Sequence, residues 1–242
     1  MLAVLASRAA ELGLDLSAEQ LDLFERYADL LLSSGRRAGV TAIATKERVE
    51  QRHFVESLAV AKALLDAGLL DRASESRVLD LGTGGGFPGL PVKMLLPQLL
   101  LTLLDARERT TAFLRELLRS LGIDGVEVVT ARGEDAGRDP AYRERFDVVL
   151  ARALAPLPVL LELTLPFLRV GGHLATPKGS GALREIGASE HALDILGGSI
   201  ASSEALRLPD GGHAQRLVLI RKTAVTPARY PRRAGIPKKR PL

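Results

Sequence analysis

Apolar positions in the first 70 residues recur at the spacing of helices, and the pattern changes to short apolar runs after residue 77. Ser17 and Gln20 form a capping-box pattern at the start of one predicted helix. A second helix is predicted from about residue 47 to 67, with apolar side chains along one side. These segments predict an N-terminal helical cap over residues 1–72.

Beyond residue 77, short apolar runs alternate with amphipathic stretches, as in sheets whose parallel strands are joined by helices. The predicted strands are residues 77–82, 99–104, 126–130, 146–151 and 173–177, and the predicted helices are residues 91–96, 110–121, 157–168 and 183–196. Two further strand-like runs, residues 199–208 and 215–221, are too close in sequence for a crossover helix between them. The pattern predicts an α/β domain over residues 73–224, with a mostly parallel sheet and a terminal antiparallel hairpin.

Composition narrows the chemistry of this domain. The 242-residue chain has no cysteine and four scattered histidines, so we expect no disulfide, no thiolate site and no metal. No apolar run approaches the roughly 20 residues of a membrane span, and the N-terminal segment lacks the features of a signal peptide. We therefore expect a cytoplasmic protein without a membrane partner, and nothing in the sequence demands more than a monomer.

Basic residues are concentrated at the C-terminus. Residues 221–242 hold eight of the 33 lysines and arginines and no acid, whereas residues 1–220 sum to a net charge of −4. Four prolines in this stretch favour an extended strap over a helix, so residues 225–242 are predicted to be a basic, proline-rich tail. A polyanion such as RNA is the expected partner, and a solvated tail that aids solubility is the alternative. We expect removal of residues 225–242 to weaken RNA binding and to leave cofactor affinity intact.

The strongest motif is the glycine-rich turn of residues 78–89, which joins a hydrophobic strand to a helix. Residues 84–89 fit the spacing of dinucleotide-binding proteins, and residues 80–86 fit that of S-adenosylmethionine-dependent methyltransferases. Pro88 removes a backbone donor near the place where a diphosphate would need one, and the terminal hairpin suits a methyltransferase sheet. Both observations favour the methyltransferase, while an NADP-dependent oxidoreductase stays the alternative.

Further candidate residues end the neighbouring strands. Asp105 closes the second strand, where an acid can accept hydrogen bonds from the ribose of either cofactor. Arg107 could neutralise a ribose 2′-phosphate, which keeps the NADP alternative open. Gly133 and Glu134 follow the third strand and could contact adenine, and Arg152 follows the fourth and could bind a carboxylate or phosphate.

The segment after the fourth strand bears on the reaction. Methyltransferases that act on exocyclic amines usually carry Asn/Asp-Pro-Pro-aromatic here, but residues 152–156 read Arg-Ala-Leu-Ala-Pro. A ring nitrogen such as guanine N7 has a ready lone pair and needs no base.

Lys178 brings a second cation to the same edge. His53 and Glu56 face one side of a predicted helix, where we expect a structural and not a catalytic role.

Several of these segments together resemble one known family, the guanine-N7 methyltransferases of bacterial small-subunit ribosomal RNA, historically called glucose-inhibited division protein B. The matching segments are residues 80–91, 104–107, 152–158, 178–179 and 230–242. The resemblance implies a class I methyltransferase fold, S-adenosylmethionine as cofactor, and methylation of N7 of one guanosine in 16S rRNA, guanine 527 in the usual 16S numbering. The partner would be 16S rRNA or the small ribosomal subunit.

The resemblance also implies site residues. Cofactor contacts fall on Gly82, Phe87, Asp105, Ala106, Arg107, Gly133, Glu134 and Arg152. RNA contacts are predicted at Lys178, Arg229, Arg232, Arg233, Lys238, Lys239 and Arg240. No catalytic residue is nominated, and the family's usual His-x-x-Asp-Ser pattern appears with Glu56 in place of Asp. A non-catalytic RNA-binding module and a methyltransferase of another RNA or of a small molecule remain further alternatives.

Overall fold

A seven-stranded sheet forms the centre of the protein in its computed structural model, which describes residues 2, 4–73, 75–209 and 215–242. The strands are β1 (Arg77–Leu81), β2 (Leu100–Asp105), β3 (Val126–Thr130), β4 (Phe146–Leu150), β5 (Leu168–Lys178), β6 (Gly198–Ala205) and β7 (Arg216–Lys222). Their order across the sheet is β3-β2-β1-β4-β5-β7-β6. Neighbours among β1 to β5 are parallel, and β7 is antiparallel to both β5 and β6. The predicted α/β class and the terminal antiparallel pair are confirmed, although half of the connection between β6 and β7, residues 210–214, lies outside the described residues.

Helices cover both faces of this sheet. They are α1 (Leu5–Glu11), α2 (Ala18–Leu30), α3 (Arg36–Ala38), α4 (Lys46–Val49), α5 (Glu56–Asp66), α6 (Gly89–Leu95), α7 (Glu108–Leu121), α8 (Gly133–Ala136), α9 (Leu157–Thr164), α10 (Ala182–Gly187), α11 (Glu190–Leu196) and α12 (Ile236–Lys239). No helix among the described residues has the length and apolarity that crossing a membrane requires.

The N-terminal helices follow the predicted pattern closely. Ser17 caps α2, and its hydroxyl and the Gln20 side chain make the reciprocal capping-box hydrogen bonds. The predicted second helix consists of α4 and α5, joined without a break by the π-helical turn Glu50–Val55. Such wider turns are frequent at functional sites, and this one carries His53.

These helices share a hydrophobic core with one face of the sheet. Phe24 and Leu58 belong to the same buried cluster as Leu103 of β2 and Leu114 of α7. The opposite face packs against α9 and α11 through a second cluster. The N-terminal segment is therefore a layer of the fold, and the boundaries of the predicted domains stay a prediction.

Three predicted elements differ clearly from the structure. Strand β5 begins at Leu168 and not at residue 173, so the helix predicted over residues 157–168 ends before its predicted limit. The single helix predicted over residues 183–196 is two helices, α10 and α11, separated at Ala188 and Ser189. The break follows Gly187, which has low helix propensity, and the Ser189 hydroxyl donates to the Glu185 carbonyl at 2.7 Å.

The basic tail is also unlike the predicted extended strap, because it contains α12 and is anchored to the domain. Arg143 donates to the carbonyls of Tyr230 and Thr226 at 2.8 and 2.7 Å. Arg232 pairs with the carboxylate of Glu162, which is only 1% exposed. These interactions hold the start of the tail against the domain. Hydrogen bonds from Arg143 and the ion pair with Glu162 thus determine the conformation of this segment more than its proline content does.

Candidate cofactor and substrate site

The glycine-rich loop turns sharply at the carboxyl end of β1. Gly82 has a φ of +70°, and its N–H donates to the carbonyl of Leu104 on β2 at 2.8 Å. Gly86 has a φ of +102°, and a Cβ there would lie 2.6 Å from the hydroxyl oxygen of Tyr27. That hydroxyl donates to the carbonyl of Gly85 at 2.5 Å. The loop therefore needs glycine for its conformation and for the close approach of α2.

Asp80 ties the two ends of the loop together. Its carboxylate is fully buried, and Oδ2 accepts from the Thr83 hydroxyl at 2.7 Å and from the Gly89 N–H at 2.8 Å. The other oxygen, Oδ1, has no hydrogen-bond partner among the described residues. Burial is the main cause that raises the pKa of Asp80 to about 6. Asp80 thus holds the start of α6 against β1.

Asp105 lies beside the loop, as the sequence predicts. One carboxylate oxygen accepts from the Gly84 N–H at 3.2 Å, and the other accepts from the N–H of Arg107 at 2.9 Å. A Cβ at Gly84 would meet nothing within 4 Å, so the space beside the loop is open. A carboxylate next to an open glycine turn is the arrangement that binds the ribose of an adenosine cofactor. Ala106 and Arg107 are exposed at the same edge.

The end of β3 also reaches this edge. Gly133 begins α8, and a Cβ there would lie 3.3 Å from the Leu81 side chain. The carboxylate of Glu134, however, accepts from the N–H of Gly235 at 2.8 Å. The basic tail therefore contacts Glu134, one of the predicted cofactor residues. The two residues are 101 positions apart in the sequence, and the sequence did not indicate this contact.

Phe87 belongs to the interior. Its side chain is 4% exposed and stacks between the rings of Tyr27 and His53, at centroid distances of 5.2 and 4.3 Å. A contact of Phe87 with the cofactor would have to come from its backbone. The ring instead links α2, the π-helical turn and the glycine-rich loop.

Arg152 turns toward the N-terminal helices. It donates to the carbonyl of Arg52 at 3.0 Å, its Nη2 lies 2.9 Å from Nδ1 of His53, and its Nη1 lies 3.4 Å from the Glu56 carboxylate. It also lies over the Phe87 ring at 5.4 Å. The structure thus brings Arg152 together with the predicted structural residues His53 and Glu56, and its cofactor contact stays a prediction.

The imidazole of His53 is held neutral. Burial, with a further contribution from the Arg152 charge, lowers the pKa of His53 to about 3. A neutral ring accepts from Arg152 through Nδ1, which places its proton on Nε2. At neutral pH the ring orients the guanidinium and does not act as an acid.

This lowered pKa predicts acid sensitivity. The unfolded chain binds a proton at His53 below about pH 6.5 and the folded chain does not, so stability falls as pH drops through this range. From pH 7.5 to pH 5 we expect wild type to lose about 2 kcal/mol more than His53→Gln, at roughly 1.4 kcal/mol per pH unit below 6.5. Urea unfolding at the two pH values measures the difference, and equal losses in both proteins would contradict the assignment.

An open cleft of about 1090 Å³ adjoins the glycine-rich loop. The segment after β4 forms one wall of the cleft. Leu154 of this wall lies against Gly82, because a Cβ added to Gly82 would be only 2.6 Å from a methyl carbon of Leu154. Lys178 lines the same cleft, donates to the carbonyl of Ala155 at 2.7 Å and pairs with Glu185 at 3.0 Å. Lys178 therefore supports the wall, and its proposed phosphate contact would have to compete with Glu185.

The remaining predicted RNA-contact residues lie in the tail, and most are exposed. Exposed side chains are those of Arg229, Arg233, Lys238, Lys239 and Arg240. Arg232 is different, because its ion pair with Glu162 gives it a structural partner.

Sequence reasoning missed one residue of the site, Tyr27, and expected only a structural role for Glu56. Tyr27 supports the glycine-rich loop, and only its helical spacing from Phe24 could have indicated that it is buried. Glu56 lines the cleft, and the available signal for that position was the family's His-x-x-Asp-Ser pattern, in which Glu56 replaces Asp. Within the described part of the chain no group of three or more His, Asp or Glu residues could hold a metal ion.

Comparisons with known proteins agree along nearly the whole chain. A model of the family described as "GidB: rRNA small subunit methyltransferase G" matches residues 20–210. A ribosomal RNA small subunit methyltransferase G of Leuconostoc mesenteroides is 41% identical over 230 residues, covering 95% of this chain and 94% of the relative. The protein of the same name from Streptococcus thermophilus is 42% identical over 232 residues, covering 96% and 95%.

Solved structures share the fold at low identity. A protein described as a sarcosine dimethylglycine methyltransferase from Galdieria sulphuraria is 12% identical, with a TM-score of 0.55 over 74% of this chain and 88% of that one. The branched-chain polyamine synthase of Thermus thermophilus, solved with 5′-methylthioadenosine, is 18% identical, with a TM-score of 0.55 over 82% and 65%. These likenesses establish the class I methyltransferase fold.

Proposed function

Because the chain belongs to the rRNA small subunit methyltransferase G family and is an S-adenosylmethionine-dependent methyltransferase, we propose that it methylates N7 of a guanosine in 16S rRNA. By the family resemblance, the target is guanine 527 in the usual 16S numbering. This membership leaves the oxidoreductase and the non-catalytic RNA-binding module without support. The finer question is which atom receives the methyl group.

The residues at the sheet edge fit the cofactor. Asp105 offers a carboxylate to the ribose hydroxyls, and the open turn at Gly84 lets the ligand approach the backbone. The backbone of Gly133 at the start of α8 adds a third wall. When bound there, S-adenosylmethionine would supply the methyl group of its sulfonium: the N7 lone pair would form the new C–N bond as the C–S bond breaks, and the electron pair of the C–S bond would stay on sulfur.

One observation supports a ring nitrogen as acceptor. The segment between β4 and α9 gives the cleft Ala153, Leu154 and Ala155, and so lacks the amide or carboxylate that amine methyltransferases carry at this position for the reacting nitrogen. The acids of the cleft, Glu56 and Glu185, come from α5 and α10. His53, the nearest imidazole to Arg152, is neutral and hydrogen-bonded to it. Guanine N7 requires neither an amine clamp nor a base, because its lone pair is free and no proton leaves.

The chain then contributes position and exclusion of water. Holding two reactants in a near-attack geometry supplies roughly 7–11 kcal/mol. Guanine N7 lies on the major-groove edge, which is inaccessible in an RNA helix, so the target base must be unpaired or turned out of its stack. Leu154 lies against Gly82 and is 38% exposed, so a bound guanine would have to cover it to exclude water from the transfer.

The exposed cations of the tail suit the RNA backbone. Aromatic residues make up only 4% of the chain, so few side chains can stack on RNA bases. The chain has many more basic side chains that can contact phosphates. Removal of residues 225–242 would also take away the partners of Glu162 and Glu134. Truncation would therefore change RNA affinity, stability and the predicted cofactor site at the same time.

Neutralising the exposed cations separates these effects. We expect Arg233→Gln, Lys238→Gln and Lys239→Gln together to weaken binding of the small subunit about 10-fold or more, because each lost phosphate contact removes counterion release. Affinity for S-adenosylhomocysteine should stay within twofold. Filter binding at several salt concentrations measures the loss, and an unchanged affinity and salt slope would contradict the role of the tail.

The proposed reaction is tested by methyl transfer. The protein is incubated with methyl-labelled S-adenosylmethionine and small subunits from a strain lacking this modification, and the label is located by nuclease digestion and mass spectrometry. Label in 7-methylguanosine at one position supports the proposal. Label in another nucleoside, or no label while S-adenosylhomocysteine binds, would refute the N7 assignment.

A further inference from the structure

The cleft beside the glycine-rich loop contains two carboxylates, and their environments differ. Glu185 makes two contacts of ordinary length through one oxygen: its Oε2 accepts from the N–H of Leu157 at 2.7 Å and from Lys178 at 3.0 Å, and its side chain is 28% exposed. Glu56 is held more loosely, with Oε1 at 3.4 Å from Arg152 and Oε2 at 3.2 Å from the Gln215 amide. Both distances lie at the long end of hydrogen bonding.

Among the described acids of the cleft, Glu56 is therefore the one whose two oxygens are both weakly bonded and shielded from water, whereas water can reach the more exposed Glu185. A carboxylate has about four lone-pair positions, and Glu56 uses two of them weakly. Its side chain is 12% exposed, so water cannot satisfy it freely. A ligand with two adjacent N–H donors would complete its hydrogen bonds.

We propose that Glu56 binds the Watson–Crick edge of the target guanine, accepting hydrogen bonds from N1–H and the N2 amino group and so selecting guanine for methylation. This inference rests on the proposed N7 reaction. Among the RNA bases, guanine presents two adjacent N–H donors on this edge, whereas adenine presents an acceptor beside its amino group. N7 lies on the opposite side of the base, so a guanine held by Glu56 across the cleft turns N7 away from α5.

In the proposed pose the base lies between Glu56 and the sheet edge that carries Asp105. Glu56 is on α5, and the facing wall is the segment after β4, whose Leu154 approaches Gly82. Gly84 and Asp105, which are hydrogen-bonded to each other, lie beyond Gly82 at the same edge of the sheet. N7 would then face the end of the site where the methyl group is presented.

Glu56 would also assist the chemical step. Methylation leaves a positive charge on the base, and that charge makes N1–H and the N2 amino group stronger donors. Their hydrogen bonds to a carboxylate strengthen as the charge develops, which is stabilisation specific to the transition state. Removing the carboxylate should therefore lower kcat as well as raise KM.

Inosine at the target position provides the test, since it lacks only the N2 amino group of guanosine. Single-turnover rates are measured on small subunits reconstituted with 16S rRNA carrying guanosine or inosine there. In wild type we expect inosine to lower kcat/KM about 10- to 100-fold, because a buried acceptor loses its donor. In Glu56→Gln the guanosine rate should fall by a similar factor, and the inosine-to-guanosine ratio should shrink to within about threefold.

The matched control is Glu185→Gln, which alters the other carboxylate of the cleft. It should lower both rates and keep the wild-type ratio. Affinity for S-adenosylhomocysteine and the unfolding midpoint show whether Glu56→Gln is folded. If it is not, Glu56→Asp, whose carboxylate is withdrawn by one methylene, should show an intermediate ratio.

The outcomes separate the two proposals. If wild type forms 7-methylguanosine and the inosine ratio is the same in wild type and in the Glu56 variants, the role of Glu56 is overturned and the proposed function stands. If wild type forms no 7-methylguanosine, the proposed function falls and the role of Glu56 falls with it.

Discussion

Arg232→Ala is expected to lower the free energy of unfolding by about 3–5 kcal/mol, the usual result of removing one partner from a buried ion pair. Glu162 is 1% exposed, and the guanidinium of Arg232 reaches both of its carboxylate oxygens, at 2.9 and 2.5 Å. In the variant the buried carboxylate of Glu162 loses the guanidinium, and from residue 232 it keeps only the hydrogen bond of the backbone N–H. Urea unfolding measures the loss.

Two further variants make this prediction specific. Arg233→Ala changes the exposed neighbour and should alter stability by no more than about 0.5 kcal/mol. Adding Glu162→Gln to Arg232→Ala should recover part of the loss, because the uncompensated charge is gone. An Arg232→Ala protein as stable as Arg233→Ala would show that the pair does not anchor the tail.

Asp105→Ala is expected to raise the dissociation constant of S-adenosylhomocysteine about 10- to 100-fold. A hydrogen bond to a charged group contributes roughly 1.5–3 kcal/mol, and Asp105 offers a carboxylate where the ribose hydroxyls would bind. The loss of its bonds to Gly84 and Arg107 would also loosen the turn around the ligand. Isothermal titration calorimetry measures the change.

The control for this variant is Asp194→Ala, which removes an exposed carboxylate from α11. Its affinity should equal that of wild type. Asp105→Ala should keep a cooperative unfolding transition, so that weaker binding reports the site and not a collapsed fold. An unaltered dissociation constant in Asp105→Ala would remove Asp105 from the cofactor site.

The order of elements could be predicted because each is determined by local periodicity. Strand β3 has the predicted limits, and Ser17 caps α2 as its sequence pattern indicates. The meeting of Asp105 with the glycine-rich loop was predictable too, since parallel strands bring their carboxyl ends to one edge. The division of residues 183–196 into two helices was not, because Gly187 and Ser189 are weak signals beside a continuous apolar pattern.

The sequence by itself thus determined the fold class, the meeting of Asp105 with the glycine-rich loop and the family of this protein, because period, turn chemistry and motif spacing act over a few residues. The tertiary structure alone decided the partners of Arg152, Phe87 and Arg232. Arg152 meets Glu56 from 96 positions away, and Arg232 meets Glu162 from 70. Such pairs depend on how helices pack on the sheet and on which charges become buried there, and no local pattern records either.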